Sequence, residues 1–355
     1  MSRADSLAEA LPGADVDLLL ITHLTNLRYV TGFSGSNGMA VVGPEVRRFI
    51  TDFRYVERAR QQVPDFEREQ GPQDFVEALG DGWPEGELRL GFEDQHVSVK
   101  QHARLRAVIP ERIELVPAGG LVEAARAVKQ PGELEAIRAA ARIVDDVYGW
   151  IVERGLVGRT EREVALMAEH EMRLRGAEGP SFPSIVASAE HGALPHAEPR
   201  DVPIAAGTLV TIDMGARVDG YCSDCTRTFA TGELPESLER IHRTVLEAQE
   251  TALGAVRPGP TGREVDAVAR DLIAAAGHGE HFGHGLGHGV GLDIHEAPRL
   301  ARSGNDTLRA GNVVTVEPGI YVPGLAGARI EDLAVVTDDG CEVLSGFPKS
   351  LIVVG

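Results

Sequence analysis

Four acidic residues sit at the ends of apolar, strand-like runs, a costly place to leave unpaired charge. Asp213 closes Leu209-Val-Thr-Ile-Asp213, and Asp224 follows eleven residues later in the return run 221–230. Glu317 closes Val313-Val-Thr-Val-Glu317, and Glu331 follows fourteen residues later in Arg329-Ile-Glu-Asp-Leu-Ala-Val-Val336. Asp219-Gly220 separates the first pair and a Pro/Gly-rich turn the second. Each pair is therefore expected on an antiparallel hairpin, its two acids opposite one another on one face. Buried without a counter-charge, four carboxylates would repel one another. A pair of divalent cations removes that objection, and two such ions are a hydrolytic device. Oxygen ligands suit Mn²⁺, Mg²⁺ or Ca²⁺, and one imidazole shifts the preference towards Mn²⁺, Co²⁺, Fe²⁺ or Zn²⁺.

The imidazole is available between the hairpins, in His281-Phe-Gly-His-Gly-Leu-Gly-His-Gly-Val-Gly291, followed by His295 and Glu296. Three histidines among five glycines let the backbone approach closely and re-aim each ring. Any one of them alone reads equally as a solvated loop residue. Cys222-Ser-Asp-Cys225 has the CxxC spacing of a redox or zinc pair. Strand alternation would place Cys222 on the Asp224 face and Cys225 on the other, so a shared metal is not expected. Thr31-Gly-Phe-Ser-Gly-Ser-Asn-Gly38 is Gly-rich but lacks the lysine of a P-loop and the GxGxxG spacing, which argues against phosphate binding.

The elements that must position these groups repeat. Leu134, Ile137, Ala141, Val144, Tyr148 and Ile151 recur at helical spacing, as do Leu238, Ile241, Val245, Ala248, Ala252 and Val256. After each comes T-x-R-E-V, at Thr160 and again at Thr261, where the threonine can cap a second helix and the glutamate reply. An acid-bearing hairpin follows each time. Two helix–helix–hairpin units predict a duplicated domain with pseudo-twofold symmetry and its hairpins face to face. Ahead of it, short buried strands are expected at 17–21, 39–42 and 49–51, among helices. Val128-Lys-Gln-Pro-Gly132 reads as a linker, because Pro-Gly punctuates structure. The fold class is thus α+β, with a smaller α/β N-terminal domain at 1–127 and the duplicated domain at 132–355.

Bulk properties narrow the function. Lys and Arg total 35 against 54 Asp and Glu, a formal charge of -19, which argues against nucleic acid or an anionic membrane surface as partner. The N-terminus shows no apolar signal region, and the aliphatic run 18–21 is too short to span a bilayer. Three cysteines make no disulfide framework. A cytoplasmic enzyme is the expectation.

These stretches resemble the Xaa-Pro peptidases (prolidase and aminopeptidase P) of the pita-bread metallopeptidase family. The resemblance rests on Ile212-Asp-Met-Gly215, Ser223-Asp-Cys-Thr-Arg-Thr228, Phe282-Gly-His-Gly-Leu-Gly-His-Gly-Val-Gly-Leu-Asp-Ile-His-Glu296, Thr315-Val-Glu-Pro-Gly-Ile-Tyr321 and Arg329-Ile-Glu-Asp332. Asn26-Leu-Arg-Tyr-Val-Thr-Gly-Phe33 and Thr51-Asp-Phe-Arg-Tyr55 extend it to a creatinase-like N-terminal domain. Methionine aminopeptidases share the ligand order, but the resemblance implies a longer gap between their two glutamates.

The resemblance implies a pita-bread domain holding two divalent ions per subunit, Mn²⁺ foremost and Co²⁺ or Zn²⁺ as options. Asp213 would bind the first ion, Asp224 and Glu331 would bridge both, and His288 and Glu317 would complete the second. The intact set disfavours the metal-free creatinase branch and a catalytically silent binding protein, the two alternatives. The implied substrates are Xaa-Pro dipeptides or short peptides with Xaa-Pro at their N-terminus, and the implied assembly is a homodimer. Glu317 would shuttle the proton, His196 and His295 would polarise the carbonyl, and His284 would orient substrate. Phe182 would line the proline pocket and Arg299 would meet a free carboxylate. Tyr321 and Arg329 would lie close by, on the substrate side or supporting the ligands.

Overall fold

The computed structural model describes residues 2–72 and 75–355, and the chain divides into two compact units, Met1–Arg126 and Ala127–Gly355. The first is built on a six-stranded mixed sheet. Leu18–Ile21, all aliphatic and all buried, pairs antiparallel with Met39–Val42 and parallel with Leu88–Phe92. Arg47–Thr51 and Glu67–Gln70 extend one side, and Ile113–Pro117 extends the other. Leu18, Leu20, Met39, Val41, Ile50, Leu79, Leu90, Leu105 and Ile113 form one core. The three expected strands are present. Glu67–Gln70 carries no apolar residue and lies on the sheet edge, where charged side chains discourage pairing with another chain.

The second unit repeats a plan. Helices Pro131–Arg154 and Glu161–Leu174 cover a three-stranded sheet of Ile185–Ser188, Leu209–Met214 and Cys225–Ala230. Helices Glu236–Leu253 and Gly262–Ala275 serve a five-stranded sheet containing Val313–Val316 and Asp332–Val336. Both second helices open with a reciprocal capping box. Thr160 Oγ1 accepts from the Glu163 N–H at 3.1 Å while Glu163 returns to the Thr160 N–H at 2.8 Å, and Thr261 with Glu264 does the same. Each half has its own core, Val144, Tyr148, Val164, Ala168, Ile212 and Phe229 in one, and Ile241, Val245, Val265, Ala269, Val314 and Ile320 in the other. No helix among the described residues is long and apolar enough to cross a membrane.

Two expectations need correction. The segment 128–132 is no free linker. The Lys129 N–H donates to the Gly311 carbonyl at 2.8 Å, its ammonium is buried against Glu296 at 2.6 Å, and Pro131 already begins a helix. The acids are also paired differently in the two hairpins. In the second, Val316 faces Asp332 and Gly319 faces Arg329, so continuing register sets Glu317 opposite Glu331. In the first, Asp213 faces Thr226, and the same register sets Asp224 opposite Gly215. Asp224 is therefore the diagonal, same-face neighbour of Asp213. A Cβ at residue 215 would overlap the Ser223 carbonyl oxygen, so glycine is required where Asp224 crosses. The turn at Asp219-Gly220 has φ of 49° and 81°, the left-handed pair that suits a tight hairpin.

One buried group gives this fold an acid limit. His242, on the helix Glu236–Leu253, is buried with Nε2 unbonded, and burial pushes its pKa down to about 4. The depressed value means the unfolded chain takes up this proton first, so stability is lost as pH falls from the ordinary histidine range towards 4. His242→Leu should remove about 3 kcal/mol of the stability difference between pH 7 and pH 4. Urea unfolding of both proteins at the two pH values measures it, and equal pH slopes would contradict it.

Candidate metal-dependent active site

Both hairpins break their ladders where the acids stand. The first is interrupted at 215 and 223–224, the second at 317–318 and 330–331. Those breaks turn backbone away from pairing and present the carboxylates on one surface. Crossing hydrogen bonds hold the hairpins together there. Thr226 Oγ1 donates to Glu331 Oε2 at 2.7 Å, and Thr228 Oγ1 donates to the Arg329 carbonyl at 2.8 Å. Arg227, fully buried, bonds Asp332 at 2.9 Å and the Glu331 carbonyl.

Asp213, Asp224 and Glu331 are all buried, and one oxygen of each lies within 4.8 Å of the others'. Asp213 Oδ1, Asp224 Oδ1 and Glu331 Oε1 are buried without any hydrogen-bond partner. Orphaned carboxylate oxygens are rare because each forfeits its hydration. Burial drives Asp224 well above its ordinary pKa, and repulsion from Glu331, Asp213 and Glu317 adds to it. Glu331 is raised by burial and then by Glu317 and Asp213. Asp213 is raised by burial too, against the pull of Arg329. Cations are the counter-charge that reverses all three shifts.

Glu317 and His288 complete the floor. His288 Nε2 lies 3.2 Å from Glu317 and 3.6 Å from Asp224, while Nδ1 meets the Gly289 carbonyl at 3.0 Å. Nδ1–H donates to that carbonyl, so Nε2 faces the acids: protonated it bonds Glu317, and deprotonated it offers them the lone pair that a metal ligand requires. Burial would raise Glu317, but the hydrogen bond and charge of His288 outweigh it and bring it to about 2. The donor set of one imidazole and four carboxylates therefore fits a pair of divalent ions of the Mn²⁺, Co²⁺ or Zn²⁺ type.

A cavity of about 650 Å³ opens above these groups, lined by all five and by Phe182, His196, His284, His295, Arg299 and Arg329. The His295 ring stands edge-on to His288, centroids 4.3 Å apart. His284 differs from the other two histidines. Its Nδ1 meets the Gly285 carbonyl at 2.7 Å and its Nε2 meets the Tyr321 hydroxyl at 2.9 Å, so both nitrogens are committed to protein. Arg329 donates to Asp213 at 2.7 Å, to Tyr321 at 2.8 Å and to Thr226 at 3.1 Å. Tyr321 is buried behind it. Arg329 thus lines the cavity while bonding a ligand acid, and Tyr321 reaches the site through Arg329 and His284. The two CxxC thiols part company, Cys222 towards the Leu292 carbonyl and Cys225 towards that of Glu331.

The sequence reading missed what holds the histidine-bearing loops. Asp266 and Arg270 form a bidentate pair at 2.7 Å on the helix Gly262–Ala275. Arg270 also donates to the carbonyls of Phe282 and His284, and Asp266 accepts from the Leu286 N–H at 3.0 Å. In the other half, Glu161 is fully buried and binds Ser188, His191 and Arg200, which flank the loop carrying His196. The sequence hint was that both acids lie in the opening turns of a T-x-R-E-capped helix, Glu161 inside the motif and Asp266 two residues beyond it.

Comparison with known proteins agrees with this geometry. Residues 135–338 match Metallopeptidase family M24, and residues 3–128 match the Creatinase/Prolidase N-terminal domain. The chain belongs to metallopeptidase family M24. An uncharacterized peptidase of Bacillus subtilis (strain 168) is 43% identical over 96% of each chain. The solved Xaa-Pro dipeptidase from Bacillus anthracis is 40% identical, with a TM-score of 0.95 and 99% of each chain covered. The X-Pro aminopeptidase from Thermotoga maritima MSB8 is 35% identical, with a TM-score of 0.89, covering 99% of this chain and 100% of that one. The protein is thus a metallopeptidase with a creatinase-type N-terminal domain and a pita-bread catalytic domain.

Arg270→Leu would leave Asp266 buried without its partner. The unfolding free energy should drop by about 3–5 kcal/mol, and amide exchange should rise across 282–288. Urea unfolding and hydrogen exchange measure both; an unchanged midpoint with unchanged protection would contradict the gripping role.

Proposed function

We propose that this enzyme hydrolyses the bond between an N-terminal residue and proline, in Xaa-Pro dipeptides or short peptides, using two divalent ions held by Asp213, Asp224, His288, Glu317 and Glu331. The observation that carries this reading is the set of three orphaned carboxylate oxygens on the floor of a cavity walled by Phe182 and Arg299. The names of the relatives, an Xaa-Pro dipeptidase and an X-Pro aminopeptidase, support the choice of bond. Mn²⁺ is the proposed ion, and the free thiols of Cys222, Cys225 and Cys341 support a reducing, cytoplasmic setting.

When bound, such ions acidify a water molecule and polarise the scissile carbonyl. The chain's own groups do the rest. Phe182 offers an apolar face to the proline ring, and Arg299 can take a free carboxylate in a two-pronged bond. His295 and His196 both line the cavity, and in this reading they donate to the carbonyl oxygen as it gains charge. Burial, and the charge of His288 beside it, lower the pKa of His295. Glu317 takes the proton of the attacking water and delivers it to the proline nitrogen as the C–N bond breaks. Arg329 and Tyr321 keep Asp213 aimed, and His284 braces Tyr321.

Metal-stripped protein reloaded separately with Mn²⁺, Co²⁺ and Zn²⁺ should cleave Xaa-Pro or Xaa-Pro-Yaa and leave Xaa-Ala and creatine largely intact. No cleavage before proline with any of the three ions, or turnover of creatine instead, overturns the proposal. Glu317→Gln should lower kcat by about 10²–10⁴-fold while substrate binding, measured by calorimetry, largely persists. Near-full activity in that variant would remove Glu317 from the proton-transfer role.

A further inference from the structure

A second group of metal-ligating side chains lies in the N-terminal unit and shares no residue with the peptidase centre. His23 precedes the helix Leu24–Thr31, His96 lies in the turn after the strand Leu88–Phe92, and Glu123 is in the first turn of the helix Leu121–Ala127. Three segments far apart in sequence thus converge. One ligand atom from each lies within 4.8 Å of the other two. The two imidazoles are stacked, with centroids 3.7 Å apart and planes within 1°. His96 Nε2 is 3.1 Å from Glu123 Oε1.

We infer that His23, His96 and Glu123 form a site for a borderline transition-metal ion such as Zn²⁺, with the remaining coordination positions open to water. Two imidazoles and one carboxylate are the donor set of three-ligand zinc sites, and they select Zn²⁺, Co²⁺ or Ni²⁺ over the hard cations that prefer all-oxygen cages. The His96 side chain is 30% exposed and that of Glu123 26%, so an ion has an entry path.

The surroundings are those of a supported site. Asn26 Nδ2 donates to Glu123 at 2.6 Å and to the buried Glu93 at 2.7 Å, and Asn26 Oδ1 accepts from Arg126 at 2.7 Å. Glu93 in turn accepts from the backbone N–H groups of Thr22 and His23, at 2.6 and 2.7 Å. The backbone carrying His23 and the carboxylate of Glu123 are therefore fixed by one network, the kind of outer contact that orients ligands. Stacking of half-exposed rings accounts for their proximity but not for the third donor meeting the same edge. Binding requires only that the rings turn out of the parallel stack until their lone pairs converge. The bound ion would tie the start of one helix to the start of another through the turn at His96.

The test uses the full chain. Metal-stripped protein is titrated with Zn²⁺ by calorimetry and its content measured by elemental analysis after desalting. His96→Ala and His23→Ala should each hold one Zn²⁺ equivalent fewer than the parent chain, or bind that equivalent more than about tenfold more weakly. As a second background, a chain carrying Asp224→Asn and Glu331→Gln, with its peptidase centre crippled, should retain one equivalent that His96→Ala removes. His96 is exposed, so its removal should leave the circular dichroism spectrum unchanged. Equal Zn²⁺ content and affinity in the parent and in both histidine variants would overturn the inference, whatever the peptidase assays show.

Discussion

Mutual repulsion among four clustered carboxylates is the constraint around which the catalytic unit is organised. Asp213, Asp224, Glu317 and Glu331 lie where two apolar hairpins meet, three of them buried and Glu317 partly so, on the floor of one cavity. Much of the local architecture can be understood as partial compensation. Arg329 takes one oxygen of Asp213, Thr226 takes one of Glu331, and His288 approaches Glu317. Three oxygens are left over, on three residues that each bring an oxygen within 4.8 Å of the others'. Clustered acids that keep unpartnered buried oxygens while Asp213 and Glu331 are each held at the other oxygen make a cation site, not a failed core.

The duplication explains how one chain builds such a site. Each half contributes a hairpin whose ladder breaks at its acids, and a helix whose buried acid grips a loop. Asp266 with Arg270 holds the loop bearing His284 and His288, and Glu161 holds the segment that leads to His196. The two solutions are not identical. Glu317 and Glu331 stand opposite one another, whereas Asp224 is set diagonally from Asp213 with Gly215 making room. His288, from the strand Gly287–Gly289, approaches an acid of each hairpin, Glu317 at 3.2 Å and Asp224 at 3.6 Å.

The acid-bearing hairpins were legible in the sequence because alternation, turn residues and charge all occur within twenty-odd residues, and local patterns are what a linear reading detects. The helices were legible for the same reason, and their capping boxes at Thr160 and Thr261 formed as written. What escaped detection depends on partners brought together only by the fold. Arg227 reads as a strand arginine until Asp332, more than a hundred residues on, is found against it. Lys129 reads as linker until Glu296 buries it. The strand Glu67–Gln70 has no apolar signal because an edge needs none. The stagger of Asp224 turned on which residue faces Thr226, a register no spacing count contains. His23, His96 and Glu123 likewise carry no motif, since each comes from a separate segment.

The central claim, that the orphaned carboxylate oxygens exist to bind a pair of cations, is tested most directly by anomalous diffraction from crystals grown with Mn²⁺. Two peaks about 3.5–4 Å apart, both within coordination distance of Asp224 and Glu331, and one of them beside His288, are the predicted result. A single peak, or none at these carboxylates with the protein saturated in Mn²⁺, would contradict it.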